Sequence, residues 1–548
     1  MKNELKWKSI ILCSLLCGIH ALAWAAPSDI RADIASRQQN REAELRGYYE
    51  AKRQAARPTP SEVKVQAKQQ EQQQEKLSFY VSEIRVTQSQ ILTVEEIKAA
   101  VQFAGAGEMT VEQLQEIVAR LNKLYQQKGR STSQAVLPPQ VIKDGIVYIR
   151  LIEGRYGEIK VSGNKRITDN YIKQRIKAQR GELSDLQQLQ RDLILYNNTN
   201  SYRLRAELKP GQQVGSSDLE LALEEPENPW SSYFFVDNAN QDDSGLYRFG
   251  YVAELRGLSG SEDRLVLNPV WTRGTLSGYV AYEAPISDQG TKATFYYSRN
   301  RVKIIDGALE DYNIRAHSND LSAGISHPLN VTALTKTDFF VEAHQKWSDT
   351  DYMGFSIADN ATKSIKAGLN IRSYDKNGLW FAQLSATGFR SEYKVSDMES
   401  SGTYYGAYLL RRQALPHEQG LLLRAYGQLT SVKELPSSEQ FSIGGMATVR
   451  GYDESALSGD KGWYASMEYS FPVLKKAGLR GFAFYDHGVA YNNYATETQR
   501  TYLSSTGLGL ELAYAGWYGK LALGVPLAES SMVKHSKTRT HFYLQKNI

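Results

Sequence analysis

An arginine on a glycine-rich loop does chemistry only when an anion meets it. The stretch FSIGGMATVRGYDESALSGDKG carries Arg450 inside a Val449-Arg450-Gly451-Tyr452 tetrapeptide, with Gly444, Gly445, Gly451 and Gly459 around it. Glycines at this density let a chain fold back on itself. Left in water, Arg450 is an ordinary solvated charge. Carried into an interior, it requires a carboxylate, because an uncompensated buried charge costs several kcal/mol. Downstream, LRGFAFYDHG places Phe482, Phe484 and Asp486 on one strand face and Ala483 and Tyr485 on the other, with Gly488 closing the motif. Asp486 can therefore point inward and accept Arg450 as a planar two-point fork. Glu468 and Glu511 share the inward parity on neighbouring segments and are rival partners. The loop is read as residues 441–462, folded inward.

Other chemistries find no footing. His317, His327, His344, His417, His487, His535 and His541 lack metal-ligand spacing, and there is no Gly-x-Ser-x-Gly elbow. No phosphate-cradling glycine loop occurs either. No catalytic residue, metal or cofactor is expected, and the protein is not read as an enzyme. A net charge of +5 does not suggest a nucleic-acid binder.

The compartment decides where such a loop could fold. Lys2, Lys6 and Lys8 precede an apolar run from Ile10 to Trp24, and Ala23-Trp24-Ala25 fits a cleavage site, so 1–25 reads as a signal peptide. Both cysteines, Cys13 and Cys17, lie within it. The exported chain then holds no disulfide and must draw its stability from its fold. Tyrosine at 34 residues and glycine at 42 suggest a β-barrel with aromatic girdles.

The elements that would position the loop follow in order. Residues 26–57 contain a helix from Asp33 to Arg57 that is polar nearly all round, which suits a wet pore rather than a core. Residues 58–78, begun by Pro58 and Pro60 and rich in Gln and Lys, read as a linker. Two repeats of order β-α-α-β-β follow at 79–153 and 154–225. Thr93 with Glu96 and Thr110 with Gln113 are capping boxes in the first, and Thr168 and Ser184 open helices in the second. From 230 to 548 the period is two. KSIKAGLNIRS sets Ile365, Ala367, Leu369 and Ile371 against Lys366, Gly368, Asn370 and Arg372. TGLGLELAY sets Leu508, Leu510 and Leu512 against Gly509, Glu511 and Ala513. About 16 such strands would close a transmembrane β-barrel with an aqueous lumen. The fold class is mainly β.

Val449-Arg450-Gly451-Tyr452, together with Phe482-x-Phe484-Tyr485-Asp486-x-Gly488, resembles the outer-membrane superfamily of barrel-assembly and polypeptide-transport proteins. Two tandem polypeptide-transport-associated (POTRA) repeats, LKPGQQVGSSDLELAL (Leu208 to Leu223) and the N-terminal helix and linker are similar to its two-partner secretion branch (type Vb). The chain departs from the family pattern at its last residue, Ile548, with Phe542 and Tyr543 upstream. The resemblance implies a plug helix in the lumen. It also implies a barrel in the outer membrane of a Gram-negative cell, embedded in its lipids and inserted by the barrel-assembly machinery, with the POTRA repeats in the periplasm. It implies a monomeric, porin-like pore. The pore would secrete a large unfolded exoprotein, such as a haemolysin or adhesin, bearing an N-terminal secretion domain. No nucleic acid takes part. The alternative within the superfamily is an insertase that assembles other outer-membrane proteins.

Overall fold

The computed structural model describes residues 63–65, 78–493, 501–528, 533 and 536–548. The expected signal peptide, the plug helix and most of the linker lie outside the described residues. The chain divides into units; one spans Thr59–Glu227 and another holds Asn228–Ile548.

The first of these contains two α/β repeats. In the earlier one, Thr93 and Glu96 cap the helix Val94–Val101 reciprocally, and Thr110 and Gln113 do the same for Val111–Gln127. The longer helix buries Leu114, Ile117, Leu121 and Tyr125 against Val147 and Ile149 of the strand Ile146–Ile152. That strand runs parallel to Glu83–Val86 and antiparallel to Gln134–Val136. A short strand not anticipated from the pattern, Gly107–Thr110, pairs with Ser78–Val81. In the later repeat, Leu189, Leu193 and Tyr196 of the helix Leu186–Thr199 pack on Leu204, Leu208, Leu219 and Leu221.

The helix start expected at Ser184 falls one residue on. Asp185 is the cap and accepts from the Gln188 N–H at 2.9 Å. Ser184 is buried instead and meets the Thr132 hydroxyl of the other repeat. Arg130 pairs with Asp185 at 2.9 Å across the same junction. The two repeats thus share a polar seam. Part of the segment read as linker is also ordered. Val63–Val65, a β-branched alternation, lies parallel to Ala206–Leu208 at the edge of the later repeat's sheet.

The other unit is a closed barrel of 16 strands, running from Trp230–Asp237 to Arg539–Asn547. These two strands pair over Tyr233–Asp237 and close the cylinder. Neighbours are antiparallel throughout, and side chains alternate between the two faces except at irregularities near Pro328, Thr350 and Pro472. Outward residues are apolar and exposed: Ile365 at 60%, Leu508 at 67%, Leu510 at 45%. The inward face carries buried polar residues, including Ser466, Glu468, Asp486 and Glu511. An apolar exterior around a polar interior inverts the pattern of a water-soluble protein and is that of a membrane barrel. The turn Asp375–Gly378 lies at the same end as Trp230, and the Thr430–Lys461 connection lies at the opposite end.

Candidate functional site: a loop clamped inside the barrel

The strand before the loop ends at Thr430 and the strand after it begins at Lys461, so the connection is longer than the span 441–462 read from sequence. Within it, Phe441–Ile443 and Leu457–Gly459 pair as a short hairpin stem. Residues 441–452 are all buried. Phe441, Ile443, Val449, Tyr452 and Leu457 pack with Tyr464, Ala490 and Leu503 of the wall. All of this lies on the inward face. Gly488 is on that face as well; a Cβ there would come within 3.0 Å of Ile443 Cδ1 and of Tyr464 Cβ. The glycine of the strand motif is therefore a seat for the loop.

Arg450 is fully buried at the tip. Its Nε donates to Asp486 Oδ2 at 2.8 Å and its Nη2 to Asp486 Oδ1 at 2.9 Å. Its backbone N–H donates to the same Oδ2 at 3.1 Å. Nη1 donates to Glu468 Oε2 at 2.6 Å. Ser466 Oγ donates to Asp486 Oδ1 at 2.7 Å and steadies that carboxylate. The guanidinium carbon stands over Phe484, 3.5 Å from the ring centroid. The face shared by Phe484 and Asp486 thus supplies both the floor and the wall of one cation site.

Of the two carboxylates named as rivals to Asp486, Glu468 is a second partner rather than a rival. It also binds Lys520 Nζ at 2.8 and 3.0 Å. Lys520 stands over Phe482, 4.5 Å from its centroid, and repeats the motif one step along the strand. Glu511 faces Lys520 across its strand pair and forms no ion pair with Arg450. Arg424 joins the cluster through Ser466 Oγ, to which its Nη2 donates at 3.1 Å, so the charges form a buried network rather than a lone pair.

The rest of the tetrapeptide reaches other strands. Gly451 has φ +97 and donates its N–H to His541 Nε2 at 3.2 Å. It lies so close to the wall that a Cβ on Gly524 would sit 2.5 Å from its nitrogen. The Tyr452 hydroxyl can donate to the carbonyl of Ala528 at 2.9 Å or of Ser504 at 3.0 Å. Val449 is fully buried in the apolar cluster.

Several residues of the site were not foreseen. At the base of the loop, Glu439 accepts from Lys346 Nζ at 2.8 Å and from the Tyr404 hydroxyl at 2.6 Å. Asp460 accepts from the N–H groups of Leu435 and Asn493, both at 2.8 Å. Lys520 could have been found by parity, since WYGKLALG places it on the face of Tyr518 and Ala522. Lys346 and Tyr404 carry no local signal, because each is one polar residue among many on an inward face.

The family described as haemolysin secretion/activation protein ShlB/FhaC/HecB has a model that matches residues 215–512. The ShlB-type POTRA domain matches residues 79–154. Haem/hemopexin transporter protein HuxB of Haemophilus influenzae is 25% identical over 455 residues, covering 77% of this chain and 78% of its own. Outer membrane transporter CdiB of Dickeya dadantii is 22% identical over 446 residues, covering 76% and 77%. Among solved structures, CdiB from Escherichia coli matches with a TM-score of 0.66 at 18% identity, over 96% of this chain and 100% of that one. That likeness is one of fold.

Proposed function

The chain belongs to the ShlB/FhaC/HecB family of haemolysin secretion/activation proteins, and on that premise we propose how its clamped loop and its repeats share the work of secretion. The protein is a two-partner secretion transporter of the outer membrane, with its POTRA repeats in the periplasm. It moves a secreted exoprotein partner outward. The observation that carries the mechanistic reading is the loop drawn into the barrel and held there by Arg450, Asp486 and Glu468. A barrel of this size has an interior wide enough for water. The loop and its cluster occupy part of that interior and set the path a polypeptide must follow.

In this reading the POTRA repeats capture the N-terminal secretion domain of the unfolded exoprotein, in part by adding its strand to a sheet edge. The chain then threads the lumen and folds outside, which makes return unfavourable. The N-terminal helix plugs the pore at rest. The barrel-assembly machinery inserts the protein, which acts as a monomer. The names of relatives span haem/hemopexin and haemolysin transport, and the cargo of this chain is proposed only as an exoprotein of that general kind.

The test is secretion of an exoprotein partner by the cells that make this chain. Cells lacking the transporter should retain the exoprotein, and the full chain should restore export. A chain without residues 79–154 should assemble its barrel and fail to export. Normal export by that deletion would remove the repeat from substrate handling. Restored insertion of other barrels, without export, would favour the insertase reading.

A further inference from the structure

On the outside of the barrel, Lys363 and Arg390 stand directly opposite each other on neighbouring strands. Like charges in this position repel, and the carboxylates Glu392 and Glu399, opposite each other one step further up the same face, offset them from that side alone. Arg390 has an exposed carboxylate partner, Glu399, at 2.8 and 3.0 Å. An exposed pair of this kind contributes little. Lys363 has no carboxylate partner among the described residues.

Beside the two cations the wall is hollowed. A cavity of about 720 Å³ is lined by Phe295, Leu321, Ala343 and Ile365 together with Lys363 and Arg390. Cross-strand register explains it: Phe295, Ala323, Ala343, Ile365 and Gly388 follow one another across the sheet. Three of these side chains are small or absent, and a Cβ on Gly388 would meet nothing within 4 Å. The hollow is thus apolar along one row and basic along the next.

Its height identifies the occupant. Lys363 lies 12 residues (375 − 363) from Asp375, which begins the turn at the Trp230 end of the barrel. At roughly 3.3 Å per residue and a tilt of about 40°, that is about 30 Å above the turn. An apolar band is about 25 Å tall, so the cations sit at its outer edge. Trp347, paired with Ala361 one step further up, is 39% exposed and marks the same interface. The acyl region lies below the charges and the headgroups lie level with them.

We propose that this hollow binds one phosphorylated glycolipid of the outer leaflet, with a phosphate between Lys363 and Arg390 and acyl chain along Ile365, Ala343 and Phe295. The phosphate resolves the like-charge repulsion, and the apolar row takes the chain that a free phosphate lacks. The position at the outer edge selects the outer-leaflet lipid over a periplasmic-leaflet phospholipid.

The experiment uses the full chain, purified in mild detergent and titrated with bisphosphorylated lipid A or with phosphatidylglycerol, and read by native mass spectrometry. The wild type should retain lipid A. Lys363→Glu with Arg390→Glu should weaken it roughly tenfold or more, at about 1 kcal/mol for each cation near a surface. Gly388→Trp should weaken it by filling the hollow with the charges intact. Lys476→Ala, on a turn at the other end of the barrel, should change nothing. Heat-modifiable gel mobility shows which variants keep a closed barrel, and Lys363→Gln serves if the double reversal does not. Undiminished lipid A binding in the charge variants overturns the proposal, as does phosphatidylglycerol binding of equal strength.

Discussion

The loop is fastened at two places, and the two fastenings have opposite polarity. At its tip the loop brings the cation, Arg450, to anions on the wall, Asp486 and Glu468. At its root the loop brings the anion, Glu439, to a cation on the wall, Lys346. The tip partners stand on the strands Lys461–Leu474 and Leu479–Tyr491, and the root partners on Thr335–Tyr352 and Met398–Ala414. Crossed polarity means neither end can bind in the other's place, so the loop has one register. The fastenings also differ in kind. A guanidinium on two carboxylates, standing over an aromatic ring, fixes orientation as well as position. A lysine ammonium is a point charge that turns freely. The tip therefore sets the loop's geometry, whereas the root tethers it.

The comparison breaks most severely at Arg450. Arg450→Ala leaves Asp486 and Glu468 buried beside Lys520, Ser466 and the more distant Arg424, a cost of about 3–5 kcal/mol to the docked loop. Export of the partner should fall to background while heat-modifiable mobility shows an assembled barrel. Arg450→Lys should restore part of it, because one ammonium cannot span both carboxylates. Full export by Arg450→Ala would mean that the tip does not govern transport.

Asp486 and Glu468 sharpen the same contrast. Asp486 accepts three bonds from Arg450 and one from Ser466, whereas Glu468 accepts one from Arg450 and keeps Lys520. Asp486→Ala should thus approach Arg450→Ala in effect, and Glu468→Gln should fall clearly short of it. The Arg450→Ala, Asp486→Ala double variant should be no worse than the more severe single, since bonded partners are not additive. Additive export defects in that cycle would show that the two residues act separately.

Gly524→Ala tests the tip without touching a charge. The new Cβ would lie 2.5 Å from Gly451 N and 2.7 Å from its Cα, both backbone atoms that cannot swing aside. Overpacking of this kind costs about 1–3 kcal/mol. Export should drop by an intermediate amount, and the defect should vanish if the loop already lies loose in an Arg450→Ala background. A defect that persists there would place the effect in the barrel wall.

The tip was legible in the sequence because both halves of it carry local signals. Glycines mark the loop, and period-two alternation tells which face Asp486 and Glu468 share. The strand number and the α/β repeats were legible for the same reason, since alternation and capping boxes are short-range patterns. Pairing choices were less so. Nothing local told that Glu468 would join Asp486 instead of competing with it, because that depends on where the guanidinium fork lands in three dimensions. The root was invisible. Lys346, Tyr404 and Glu439 are separated by more than 30 residues from one another, and each looks like an ordinary inward polar residue. The strand at Val63–Val65 was missed because its partner lies 143 positions away (206 − 63) and no pattern announces the pairing.

The smallest expected effect is at the root, and it discriminates a tether from a second lock. Glu439→Gln removes the charge yet keeps an oxygen that accepts from the Tyr404 hydroxyl. Lys346 Nζ retains the Ser438 carbonyl at 3.2 Å, so it is not stranded. The Gln428 amide still donates to the Glu439 carbonyl at 2.9 Å, and Asp460 still receives the Leu435 and Asn493 N–H groups. The Lys346 ion pair is lost, because the amide NH2 takes the place of the oxygen that accepted from Nζ, at about 1.5–3 kcal/mol. With the tip intact, that is too little to release the loop, and export should stay close to wild type. In an Asp486→Asn background, where the tip is already weakened, the same change should lower export further and make the loop more open to protease in isolated membranes. A single Glu439→Gln variant as defective as Arg450→Ala would mean that the root is a lock of equal rank, and the contrast between orientation at the tip and tethering at the root would fail.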